Sequence, residues 1–122
     1  MNISEAESVV MQVIWHSSPR SAEDIVTELS RDQEWQEATI KTLLNRLLKK
    51  GAVKVEKEGR RYLYSPVLKR EDWVHSQSRS LLDRLFDGRV APLVAHFSEK
   101  GKLTKKDIAD LKKLIKELDD GR

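Results

Sequence analysis

Between Ala38 and Gly51 the apolar residues Ile40, Leu43, Leu44, Leu47 and Leu48 recur at three- and four-residue intervals, the spacing of one helix face. Gly51 stops that helix. Two alternating runs follow at once: Val53 and Val55 with Lys54 and Glu56, then Tyr62 and Tyr64 with Leu63 and Ser65. Between them Lys57-Glu58-Gly59-Arg60 has the chemistry of a hairpin turn, and Pro66 closes the unit. Two helices precede this stretch. Ser4 and Glu7 form a capping box ahead of Ala6, Val9, Val10, Val13 and Ile14, and His16-Ser17-Ser18-Pro19 ends the pattern. Ser21 opens the second helix, with Ala22, Ile25, Val26 and Leu29 on one face. Three helices followed by a hairpin is the order of a winged helix-turn-helix, a mainly α fold with a small β-hairpin wing.

The rest of the chain reads as helical. A long helix over 70–87 carries Trp73, Val74, Leu81, Leu82, Leu85 and Phe86, and Gly88 ends it. A short apolar helix covers Ala91 to Phe97, with Pro92 in its first turn. Thr104 and Asp107 open a last helix, and residues 119–122 read as a frayed tail. In that helix Ile108, Leu111, Ile115 and Leu118 are spaced 3, 4, 3, the seam of helix–helix packing. With 35% charged and 39% hydrophobic residues, a chain of 122 has apolar surface to bury between subunits. We therefore expect a winged-helix DNA-binding domain over 1–68 and a helical homodimerisation region over 69–122. The candidate dimer interface is Leu81, Leu85, Phe86, Leu93, Val94, Phe97, Ile108, Leu111, Ile115 and Leu118.

Charge is distributed unevenly. Residues 1–37 hold two arginines against eight carboxylates, a net −6, whereas residues 38–62 hold eight cations against two carboxylates, a net +6. A block this positive suits a polyanion. On the third helix Lys41, Thr42, Asn45 and Lys49 form the polar face, with Thr39, Arg46 and Lys50 at its margins. A major groove about 12 Å wide admits one helix, where Lys and Arg donate to guanine and Asn pairs with adenine. Lys57, Arg60 and Arg61 on the wing suit phosphate contacts, which fix register without reading sequence, and Tyr62 beside them completes the candidate DNA-binding set. The rival reading is a winged-helix protein-interaction module without sequence-specific DNA binding. An RNA-binding winged helix would favour exposed aromatics, and only 6% of the residues are aromatic.

Enzyme classes find no support. There is no cysteine, and His16, His75 and His96 are scattered without ligand or catalytic spacing, so no metal or cofactor is expected. No apolar run approaches a membrane span, and the first residues lack the pattern of a signal peptide, which makes a cytoplasmic location the expectation.

These elements resemble the penicillinase repressor family of winged-helix transcriptional regulators, the BlaI/MecI group, over nearly the whole chain. Ile3-Ser4-Glu5-Ala6-Glu7, with Val10-Met11 and Ile14-Trp15, is similar to that family's opening helix, and Ser21-Ala22-Glu23-Asp24-Ile25 to its second. The run from Thr39 to Gly51 resembles its recognition helix almost position by position. Tyr62-Leu63-Tyr64-Ser65 resembles the returning wing strand, and Leu93-Val94-Ala95-His96-Phe97 with the last helix the dimerisation region. The resemblance implies a homodimeric repressor on a two-fold operator of double-stranded DNA, with contacts from Thr39, Lys41, Thr42 and Arg46. It also implies release through a membrane-linked sensor protease pathway that cuts an Asn-Phe bond, for which the matching bond here is His96-Phe97. Ser8 stands where the family often has tryptophan. Ala38, Lys41 and Asn45 stand where the β-lactamase repressors have lysine, arginine and threonine, so the operator sequence does not carry over. The C-terminal cysteine cluster of the copper-responsive relatives is missing, which excludes copper sensing by that route.

Overall fold

A computed structural model describes residues 1–121. Contacts divide the chain into two units, Met1–His75 and Ser76–Arg122. In the first, three helices, α1 (Glu5–His16), α2 (Ala22–Asp32) and α3 (Glu37–Lys50), pack with a small sheet of β1 (Arg20–Ser21), β2 (Val53–Glu58) and β3 (Arg61–Pro66). The sheet is antiparallel in the order β1-β3-β2. Then come α4 (Arg70–Leu85), α5 (Val90–Glu99) and α6 (Lys105–Asp120).

Local chemistry sets most boundaries. Ser4 Oγ accepts the Glu7 N–H at 3.1 Å while Glu7 Oε1 accepts the Ser4 N–H at 2.7 Å, so α1 starts on a complete capping box. Ser21 Oγ accepts the Asp24 N–H at 3.1 Å and caps α2. At the end of α3, Gly51 takes φ 78°, a left-handed conformation costly for any side chain with a Cβ. Its N–H reaches Leu48 O at 3.1 Å and the Ala52 N–H reaches Leu47 O at 2.9 Å, which is the Schellman closure. The chain can then turn straight into β2.

The core draws on all three helices. Val10, Met11 and Ile14 from α1, Ile25 and Leu29 from α2, and Ile40, Leu44 and Leu47 from α3 are each at most 2% exposed, joined by Ala52 and Val53 at the start of the hairpin. Leu48, on the expected apolar stripe, sits at its edge and is half-exposed. Ala52 O accepts the N–H groups of Val67 and Leu68 and so ties the outgoing chain back to the hairpin. Leu68 O accepts Trp15 Nε1–H at 2.8 Å, and the Trp15 and Trp73 rings lie 5.5 Å apart. This is why the first unit runs through His75, with the expected boundary after residue 68 falling inside it.

Three details differ from the sequence reading. The strand β1 has only two residues, below the length at which alternation can signal a strand. The hairpin turn is tighter than Lys57–Arg60: Glu58 already pairs with Arg61, which leaves Gly59 and Arg60 to connect the strands, with Gly59 at φ 63°. Asp119 and Asp120 complete α6 and are not frayed, while Arg122 of the expected tail lies outside the described residues.

The second unit has a different character. From Ser76 to Gly121 no side chain is buried. Thr104 and Asp107 cap α6 reciprocally, at 3.0 and 3.1 Å, so the helix is well started without an enclosed core to hold it. Leu93, Val94, Phe97, Leu103, Leu111 and Leu114 line an open cleft of about 470 Å³.

Candidate nucleic-acid interface

The buried stripe of α3 determines which residues it offers to solvent. With Ile40, Leu43, Leu44 and Leu47 inward, the opposite side presents Glu37, Lys41, Asn45 and Lys49 at successive i, i+4 steps, flanked by Ala38, Thr39, Thr42 and Arg46; all eight are exposed. Thr42 Oγ1 donates to Ala38 O at 2.9 Å. Its hydroxyl proton is thus occupied, and the side chain offers a methyl group and acceptor lone pairs outward.

The wing stands beside this helix. In β3, Tyr62 is 54% exposed, and the Lys57 amine from β2 lies 6.0 Å from the centre of its ring. One cleft of about 250 Å³ is lined by Ser21, Ala22, Glu23 and Val26 at the start of α2, Glu37 and Lys41 of α3, and Arg60, Arg61 and Tyr62 of the wing. An adjoining cleft brings Lys41 and Asn45 together with Tyr62 and Tyr64. On the other flank of α3, Ala38, Thr39, Thr42, Leu43 and Arg46 line a third. Helix α3 and the wing therefore converge on one face of the first unit.

The cations on this face differ in how far they are compensated. Arg46, Lys49, Arg60 and Arg61 form no ion pair among the described residues, although Glu23 and Glu37 line the same cleft as Arg60 and Arg61. Lys41 Nζ lies 3.5 Å from Glu37 Oε1, with both side chains more than half exposed. Lys50 is placed otherwise. Its Nζ donates to Glu7 Oε1 at 2.5 Å and to Asn2 O at 3.1 Å, which engages it with the N-terminal segment and α1. Burial pushes the Glu7 carboxyl up, but the bonds from Lys50 and Ser4 together outweigh it and hold the group below its ordinary value. Sequence reading passed over Glu37. Its signal was the Glu-to-Lys i, i+4 step at the first residue of the helix.

The residues expected at a dimer interface lie on α4, α5 and α6 and are exposed in large part. Leu81, Leu85, Phe97, Ile108, Ile115 and Leu118 are 37 to 63% exposed, whereas Phe86, Leu93, Val94 and Leu111 are half-buried. The His96-Phe97 bond is inside α5, and the His96 ring lies 5.3 Å from that of Phe97 and 6.1 Å from that of Phe86. No helix among the described residues is long and apolar enough to cross a membrane.

Comparison with known proteins adds lineage to this geometry. The family model described as penicillinase repressor matches residues 3–117. The chain is 37% identical over 115 residues to a penicillinase repressor of Bacillus licheniformis, spanning 94% of this chain and 90% of the relative. It is 31% identical over 113 residues to the methicillin resistance regulatory protein MecI of Staphylococcus aureus (strain N315), spanning 93% and 92%. Among solved structures, the DNA-binding domain of the repressor BlaI superimposes with a TM-score of 0.55 at 44% identity, covering 58% of this chain and 87% of that one. The monomeric form of BlaI from Bacillus licheniformis, in complex with the blaP half-operator, superimposes with a TM-score of 0.54 at 43% identity, covering 59% and 88%. With the family model matched over all but the ends of the sequence, this chain belongs to the penicillinase repressor family.

Proposed function

We propose that this protein is a transcriptional repressor that binds an operator in double-stranded DNA as a homodimer. The observation that carries the reading is the convergence of an exposed polar recognition helix and a cationic wing on one face. Lys41, Thr42 and Asn45 would read base edges in the major groove, with Thr39 and Arg46 on the flank. Arg60, Arg61, Lys49 and Tyr62 would hold the backbone. Lys50, engaged by Glu7, supports the helix from within the domain. A BlaI relative solved in complex with the blaP half-operator supports operator DNA as the partner.

Base readers and phosphate holders are separable by experiment. Lys41→Ala and Asn45→Ala should each weaken specific binding by about 1–3 kcal/mol and relax sequence preference. Arg60→Ala should weaken binding to all duplexes alike and flatten its dependence on salt. Titration of selected and scrambled duplexes across a salt series checks both. Lys41 and Asn45 variants that keep full specificity would sink the assignment of α3 as the reading helix.

The second unit supports the dimer. Apolar side chains along α6 at 43 to 58% exposure, in a unit that buries none, suit coverage by a second copy. A two-fold dimer presents two recognition helices to two half-sites.

Release by a membrane-linked protease pathway at His96-Phe97 belongs to the same proposal. A cut there separates α6 from the rest of the chain and requires local opening of α5, since a folded helix does not enter a protease cleft. During induction the protein should shorten to a fragment ending at His96, followed by mass measurement from cells. A repressor that leaves its operator at full length would show that the switch is elsewhere.

A further inference from the structure

At the start of the recognition helix the structure places a donor and an acceptor side by side. Lys41 Nζ and Glu37 Oε1 are 3.5 Å apart, and the two side chains are 58% and 64% exposed. Both also line the cleft that faces the wing. An exposed ion pair of this kind contributes little to stability, at most about 1 kcal/mol, so folding leaves it largely free to be exchanged for other partners. Its position matters more, because the first residues of a recognition helix are those that meet base edges.

Resting on the reading of α3 as the base-reading helix, we propose that Glu37 is a specificity-determining residue that reads one G·C base pair jointly with Lys41. Lys41 donates to guanine O6 and N7, and Glu37 accepts from the N4 amino group of the paired cytosine. Across a G·C pair, acceptor O6 and donor N4 are hydrogen-bonded neighbours, about 3 Å apart. The pair on α3 sets a donor and an acceptor at a similar separation, and the direction of docking fixes which strand carries the guanine. The other base pairs fit worse for definite reasons. A C·G or A·T pair reverses donor and acceptor, setting the ammonium against an amino group and the carboxylate against an oxygen. A T·A pair keeps the order but puts the thymine methyl where Lys41 would meet guanine N7, and adenine N7 beside the carboxylate. Where no amino group answers it, as at a C·G or A·T pair, Glu37 meets the negative potential of the duplex unpaired. The same carboxylate thus favours one base pair and disfavours the rest.

The test is selection of bound duplexes from a random pool by the full chain and by Glu37→Ala, followed by titration of the selected duplex with each base pair in turn at every position. The parent protein should show a G·C pair, repeated in each half-site, that no other pair replaces without at least a fivefold loss. Glu37→Ala should lose at least fivefold of that discrimination at this position alone, and keep its preferences elsewhere. Equal thermal midpoints for parent and variant establish that the fold is intact, as the exposure of Glu37 leads one to expect. If Glu37→Ala selects an unchanged motif and binds every duplex more tightly by one factor, the carboxylate only repels DNA and the proposal is overturned. If the parent enriches no motif at all, the DNA-reading function fails first, and this inference fails with it.

Discussion

A chain ending at Gly88 is expected to sediment as a monomer at micromolar concentration and to lose about 10²–10⁴-fold of operator affinity. The first unit should survive the truncation, because among the described residues every buried core residue lies between Ile3 and Val53 and the partly buried side chains packed on that core end at Trp73. What is lost is the surface proposed to join two copies. On α6, Ile108, Leu114, Ile115 and Leu118 are 43 to 58% exposed, and covering each would recover roughly 1 kcal/mol. Summed over two copies, that is enough to offset much of the entropy of association. Once joined, the second recognition helix meets its half-site at the high effective concentration set by the first, and truncation removes that gain. Sedimentation and operator titration, run side by side on both lengths of chain, check the two halves of the argument. A full-length protein that is monomeric under these conditions, or a truncated one that binds a two-fold operator undiminished, would count against the dimer.

Lys50→Met should cost about 2 kcal/mol of folding stability at pH 7. Glu7 is 1% exposed, and its carboxylate keeps its charge there because the Lys50 ammonium and the Ser4 backbone N–H donate to it. Removing the ammonium leaves a buried charge short of its cation, a change that costs about 3–5 kcal/mol when both partners are dry. Lys50 is 39% exposed, so solvent screens part of that. The pH dependence carries the sign. Glu7 is held below its usual value of 4.5 in the folded protein, so its contribution is complete above that value and fades as pH falls through the lower folded value. The gap between parent and variant should therefore narrow on acidification below about pH 4.5, since a protonated Glu7 no longer needs the cation. Urea unfolding at pH 7 and at successively lower pH measures it. A gap independent of pH would mean that the ammonium acts through its bond to Asn2 O and not through Glu7.

The legible parts of this molecule were those in which local chemistry and long-range packing agree. The capping residues Ser4, Ser21 and Thr104, the stop at Gly51 and the stripe from Ile40 to Leu47 each announce themselves, and the structure uses each as its residue type dictates. What stayed hidden depends on partners distant in sequence. The strand at Arg20–Ser21 exists because Leu63 and Tyr64 are there to pair with it, more than forty residues away. Lys50 reads as one more cation of a basic helix until the fold brings Glu7 and the carbonyl of Asn2 to its amine. In the same way Trp73 reads as the start of a separate helical region, yet its ring packs with Trp15. The face of α3 could be drawn from a helical wheel, but its juxtaposition with Arg60, Arg61 and Tyr62 needed the hairpin's actual direction.

Ser21 has two obligations, since it is the last rung that fastens β1 to Leu63 in the wing and also the residue whose hydroxyl starts α2. The wing is thereby riveted to the helix pair at its base, while Gly59 and Arg60 at its tip lie beyond the last paired residues, Glu58 and Arg61. Such a cantilever separates two kinds of variation. Changes at the tip can alter how firmly the duplex is gripped without re-aiming α3, whereas a change at the rivet would tilt grip and reader together. On the proposed docking, exchanging the tip residues would change the strength of binding and leave the preferred sequence as it is, whereas replacing Ser21 would alter both.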